Sequence, residues 1–111
     1  MPTLTVPTTA RLDLPIQAIA DLCLKFQVSE LSIFGSILRD DFGPDSDIDF
    51  LVRFENDDFG PWASKLTELQ DALSDLLNRK VDLVSYAAVA QSENYLRRRH
   101  ILESAQVIYV A

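Results

Sequence analysis

The sequence predicts one α/β (α+β) domain, a small mixed sheet covered by helices. Three observations predict it. The chain has 111 residues, enough for one modest core. Segments with apolar residues at helical spacing alternate with short segments of strand-like alternation. The resulting order is helix, strand, short helix, strand, helix, strand, helix, strand, the pattern of a sheet with helices on its faces.

The elements follow in order. Residues 1–12 hold Pro2 and Pro7 without a periodic pattern and read as a loose N-terminal arm, which leaves 13–111 as the domain. In "LPIQAIADLCLKFQV", Ile16, Ile19, Ala20, Cys23 and Leu24 share a helical face, and Pro15 suits a first turn. "ELSIF" is a short strand ended by Gly35-Ser36. "SILRDDF" is a short helix closed by Gly43-Pro44. "DIDFLVRF" alternates: Ile48, Phe50, Val52 and Phe54 face one way, Asp47, Asp49, Leu51 and Arg53 the other. From Pro61 onward, Trp62, Leu66, Leu69, Leu73, Leu76 and Leu77 give the strongest helical period in the chain. "KVDLVSY" is a strand with Asp82 between Val81 and Leu83. A helix from near Ser92 holds Tyr95, a basic run and Leu102. "AQVIYVA" is a final strand. The chain shows no internal repeat and no second domain.

Composition excludes several classes. The 48% hydrophobic and 24% charged content is that of an ordinary globular chain. No apolar run approaches the roughly eighteen residues of a membrane span. The first residues lack a basic region followed by an apolar one, so no secretory signal is expected. A lone Cys23 permits no internal disulfide and reads as a small core residue, which together with the missing signal favours the cytoplasm. The net charge is −7, and all of it falls in segment 40–58, where eight acidic residues face Arg53 alone. A general nucleic-acid binder carries a basic face instead, so direct nucleic-acid binding is not expected. The one basic run, "LRRRH" at Leu96–His100, reads either as a solvated helix face or as a docking patch for an acidic partner.

The acidic segment contains the chemistry. Side chains two apart on a strand project together, with Cα atoms roughly 7 Å apart, so Asp47 and Asp49 share a side. Asp82 joins them if its strand is a neighbour. Converging carboxylates need cations, and hard divalent ions such as Mg²⁺ take oxygen ligands while keeping sites for phosphate oxygens. Two such ions about 3.5–4 Å apart clamp the attacking and leaving oxygens of a phosphoryl transfer. Upstream, Gly35 allows a phosphate close to the backbone. Ser36 opens a helix whose amides favour an anion, and its hydroxyl adds a donor.

These residues carry a resemblance. "GS" at 35–36, ten residues, then "DID" at 47–49 resembles the Gly-Ser-x10-Asp-x-Asp signature of polymerase-β-like nucleotidyltransferases. "VDLV" around Asp82 fits the same pattern. The likeness covers about residues 31–85, and the small size is similar to the minimal nucleotidyltransferase (MNT) branch, antitoxin partners of HEPN-domain toxins. The resemblance implies a polymerase-β-like nucleotidyltransferase fold. It implies that Gly35, Ser36 and Arg39 hold the nucleotide, with ATP as substrate. It implies that Asp47, Asp49 and Asp82 are the catalytic carboxylates and ligate two Mg²⁺ ions. Where the family often has glycine after the arginine, this chain has Asp40. The implied activity is transfer of AMP to a hydroxyl, a tyrosine, of a HEPN toxin, within a hetero-oligomer.

Other motifs fail. "DSDID" from Asp45 begins like an EF-hand loop, but its sixth and twelfth positions are Phe50 and Asn56, where that loop needs Gly and Glu. The P-loop pattern is absent. His100 has no assigned role. Two further function classes stay open at this level. One is a non-catalytic antitoxin that neutralises its partner by occlusion. The other is a transferase acting on a small molecule.

Overall fold

The computed structural model describes residues 3–4, 14–38, 42–43, 45–55 and 62–111, and all structural statements concern these. Helix α1 (Ile16–Lys25) buries Ile19, Ala20 and Cys23 at the expected spacing. It ends at Gln27, whose φ of 58° turns the chain out of the helix. Strand β2 (Val28–Phe34) starts at once, two residues earlier than the alternation predicts. Strand β3 (Ile48–Phe54) runs antiparallel to β2.

Helix α2 (Trp62–Leu77) follows, with Leu69 and Leu73 fully buried. Asn78 ends it with φ 49°. Strand β4 (Val81–Ser85) then pairs parallel with β3. A parallel pair needs a crossover connection, and α2 is that connection. Helices α3 (Tyr86–Ala90) and α4 (Tyr95–Ser104) lead to strand β5 (Gln106–Val110), which runs antiparallel beside β2.

With a two-residue strand β1 (Thr3–Leu4) at one edge, the five-stranded sheet has the order β1-β5-β2-β3-β4. It is mixed, as the sequence predicts. Its first face carries the main core: Leu31, Ile33, Ile48, Phe50, Val52, Val81 and Leu83 pack against Ile19, Cys23, Leu69 and Leu73. Its second face carries a smaller core, where Phe34 and Leu51 meet Val89 of α3 and Ile101 of α4.

Four expectations change. The loose arm contains a strand, β1 (Thr3–Leu4), which pairs with Val110 and Tyr109. An edge pairing of two residues rests on backbone amides and leaves no side-chain period to read. The short helix is a 3-10 turn over Gly35–Leu38. Of the rest of its expected span, residues 39–41 lie outside the described residues and Phe42 is not helical. The third strand stops at Ser85 rather than running to Tyr86. There Ser85 Oγ accepts from Ala88 N at 3.4 Å and caps α3. The last helix begins at Tyr95, not near Ser92, because Asn94 Oδ1 accepts from Arg97 N at 3.1 Å. Among the described residues no helix is long and apolar enough to cross a membrane.

Candidate active site

The period of β3 builds the site. Ile48, Phe50 and Val52 are fully buried in the main core. Alternation therefore sends Asp47 and Asp49 to the second face. In β4, Val81 and Leu83 are buried and Asp82 is exposed by the same rule. The parallel register places Asp49 opposite Asp82, with Ile48 opposite Val81. Adjacent strands lie about 4.8 Å apart, so two carboxylates leave neighbouring positions on one face. On its other side Asp49 pairs with Phe34.

Phe34 ends β2, and Gly35 turns the chain with φ +79°. A Cβ at Gly35 would stand 3.2 Å from Asp49 Cγ and closer still to its Oδ2. The missing side chain is the space that the Asp49 carboxylate uses. Asp47 lies just before β3, with its Oδ2 3.7 Å from Lys80 Nζ. Those side chains are 41% and 80% exposed, so the pair is a weak surface contact.

The structure therefore brings together Gly35, Asp49 and Asp82, and sets Asp47 beside them against Lys80. Among the described residues no three His, Cys, Asp or Glu side chains already stand as a group able to hold a metal ion. The donor types still suit one: all three are carboxylates, Asp82 is exposed, and Gly35 accepts the close approach of Asp49. An all-oxygen set of that kind matches Mg²⁺. Ser36 sits in the 3-10 turn immediately after Gly35. Arg39 lies outside the described residues.

Cys23 is set apart from this site. It is fully buried in the main core, and burial pushes its thiol up to about 12. It packs, as the sequence predicts.

Sequence reasoning missed the basic pair at the α2–β4 turn. Lys80 faces Asp47. Arg79 Nη1 donates to Gly43 O and to Ser46 O, each at 2.9 Å. The signal was present as "NRKVDLV", two cations ahead of an acidic strand, but nothing in the spacing told which carbonyls they meet.

The model of the nucleotidyltransferase domain family matches residues 16–108, nearly the whole chain. The chain belongs to that family. This nucleotidyltransferase domain is also similar to a solved structure provisionally described as a minimal nucleotidyltransferase. The two are 31% identical with a TM-score of 0.63, over 82% of this chain and 86% of that one. A protein of Thermococcus cleftensis named protein adenylyltransferase MntA is 43% identical over 60 residues, 54% of this chain and 58% of its own length. The chain spans about three-fifths of the length of the curated relatives it matches.

A third likeness is to a chain in the complex of a tri-AMPylated Shewanella oneidensis HEPN toxin with an MNT antitoxin. It has a TM-score of 0.58 at 19% identity, over 86% of this chain and 70% of that one. At that identity the likeness shows the fold. The fold expected from the Gly-Ser-x10-Asp-x-Asp pattern is the fold observed.

Proposed function

We propose that this nucleotidyltransferase domain transfers AMP from ATP to a tyrosine hydroxyl of a HEPN toxin, and thereby acts as its antitoxin. The observation that carries the proposal is the meeting of Gly35 with Asp49 across the end of β2, with Asp82 in register beside them. A glycine turn and a pair of carboxylates occupy one small area. Transfer of a nucleoside monophosphate needs both parts. The name of the Thermococcus relative and the AMPylated toxin in the Shewanella complex support the same reading.

Asp47, Asp49 and Asp82 would hold Mg²⁺. When bound, the ion neutralises phosphate charge and orients the reacting oxygens. The chain's own residues do the rest. Gly35, Ser36 and Arg39 bind the phosphates and hold the α-phosphorus in line with the acceptor. Asp82, exposed on the open face, takes the proton of the acceptor hydroxyl. A new bond joins that oxygen to the α-phosphorus. The bond from the α-phosphorus to the bridging oxygen breaks, and pyrophosphate leaves. The acceptor surface belongs to the partner, which makes the working form a hetero-oligomer. Such a pair works in the cytoplasm.

The test is the intact mass of the partner HEPN protein after incubation with this chain, ATP and Mg²⁺. A gain of one or more AMP units is expected, and none with the Asp47→Ala/Asp49→Ala double variant. A stable complex without any mass gain would overturn transfer in favour of neutralisation by occlusion. A mass gain that persists in the double variant would remove the carboxylates from the chemistry.

A further inference from the structure

We infer that Arg79 is a positioning residue that fixes the carboxylate-bearing start of β3. The inference rests on the reading of Asp47 and Asp49 given above. Asp47 follows a turn, Gly43 to Ser46, that precedes β3. Gly43 N donates to Ser46 Oγ at 2.9 Å, and Ser46 N donates to Gly43 O at 3.1 Å, so this turn closes on itself. Closure alone does not fix how the turn sits on the sheet.

Arg79 supplies that anchor. Its Nη1 has two hydrogens and meets two carbonyls, Gly43 O and Ser46 O, each at 2.9 Å. The guanidinium also lies over the Phe42 ring, 4.7 Å from its centroid. One half-buried cation thus grips both ends of the turn and the aromatic residue ahead of it. Such a planar fork with stacking is a geometry that Lys cannot copy.

The anchor is itself held. Arg79 N donates to Ser74 O at 3.2 Å, and Ser74 Oγ donates to Arg79 O at 2.7 Å. These bonds tie Arg79 to the last turns of α2. Next to it, Ile48 N donates to Lys80 O at 3.0 Å and opens the parallel ladder. Asp47 therefore stands between two fixed points, the Arg79-bound Ser46 and the ladder at Ile48. Asp49 follows one residue later. A rigid second layer of this kind keeps functional side chains within a fraction of an ångström of their working geometry.

The experiment compares wild type with Arg79→Gln and Arg79→Lys by two measurements. The first is amide hydrogen exchange in the free chain. Loss of charge-assisted hydrogen bonds should speed exchange at Ser46 and Ile48 by about tenfold in Arg79→Gln. Exchange in the β2–β5 ladder, at Leu31 and Tyr109, should stay as in wild type. The second is transfer to the partner protein. Here kcat should fall about tenfold while KM for ATP moves less than about twofold, because the bonds of Arg79 reach the turn before Asp47 and not the Gly35 turn. Arg79→Lys should fall between the two in both measurements.

Unchanged exchange at Ser46 and Ile48 would overturn the inference. So would equal acceleration throughout the chain, which is general destabilisation, or Arg79→Lys matching wild type. If the wild type transfers no nucleotide, the activity proposed above fails by itself, and the exchange measurement still decides whether Arg79 fixes the turn.

Discussion

Asp49 faces Asp82 directly across the parallel β3–β4 ladder. Like charges at paired positions oppose sheet formation. On the function proposed above, this pairing trades stability for a site. Asp82→Asn should raise the melting temperature of the metal-free chain by about 2 °C, given the few degrees expected per kcal/mol at this size. The same variant should lose transfer by at least about a hundredfold. Calorimetry and the partner mass assay check the two halves. A lower melting temperature would show that Asp82 supports the fold instead.

Gly35 is required twice over, by its φ of +79° and by its contact with Asp49. Gly35→Ala should destabilise the chain by about 1–2 kcal/mol from the left-handed backbone alone, and displace the Asp49 carboxylate as well. Gly35→Asn separates the two effects. Asn tolerates the dihedral but still carries a Cβ. Stability in denaturant titration should recover in part with Asn, while transfer stays lost with both. Recovered transfer in Gly35→Asn would show that the contact is unimportant.

Cys23 should behave as an inert core thiol. Labelling by a thiol reagent at pH 8 should proceed only as fast as the chain unfolds. The pH dependence follows from linkage. Burial raises the folded thiol from 9.0 to about 12. The folded form thus keeps its proton where the unfolded form has lost it. Its share of stability is full below pH 9 and is lost between pH 9 and about 12. Cys23→Ala should show a shallower fall of stability with pH over that window. Identical slopes would place the thiol in contact with solvent.

Leucines on the two sides of the sheet should differ sharply. Leu69 is fully buried in the main core, and Leu96 on α4 is 76% exposed. Leu69→Ala should cost about 2–5 kcal/mol, whereas Leu96→Ala should change stability by less than about 0.5 kcal/mol. Chemical denaturation of the two variants measures both.

Much of this was legible because burial imposes a period. The alternation of Ile48, Phe50 and Val52 fixed the core face of β3, and with it the face that carries Asp47 and Asp49. Leu69 and Leu73 stood at helical spacing and are buried there. What escaped was structure without a period. Helix α3 is five residues, "YAAVA", little more than one turn; Tyr86 falls at the end of the expected strand and Ala87–Ala90 offer no period to read. Leu51 lies on the same face as Asp49 yet is buried, because α3 and α4 cover that end of the sheet. No local pattern announces such cover. Arg79 escaped for the same reason, since its partners lie more than thirty residues away. Of the expected nucleotide residues, Gly35 was legible through its turn, and Arg39 lies outside the described residues.

The strand order β1-β5-β2-β3-β4 has a consequence for biosynthesis. Strand β1 holds residues 3 and 4, and the strand it pairs with holds residues 106–110. Synthesis runs from the N-terminal side, so about a hundred residues are added between the first of these and the second. A chain growing at about 5–20 residues per second therefore waits several seconds with β1 unpaired. Meanwhile β2, β3 and β4 emerge in succession and can assemble. The carboxylate-bearing strands are thus laid down before the sheet receives its last two members, and the edge of β2 stays open to other chains until β5 arrives. A nascent chain stalled short of residue 106 would carry the acidic site on a sheet with that edge exposed, which makes it a substrate for chaperones rather than a finished domain.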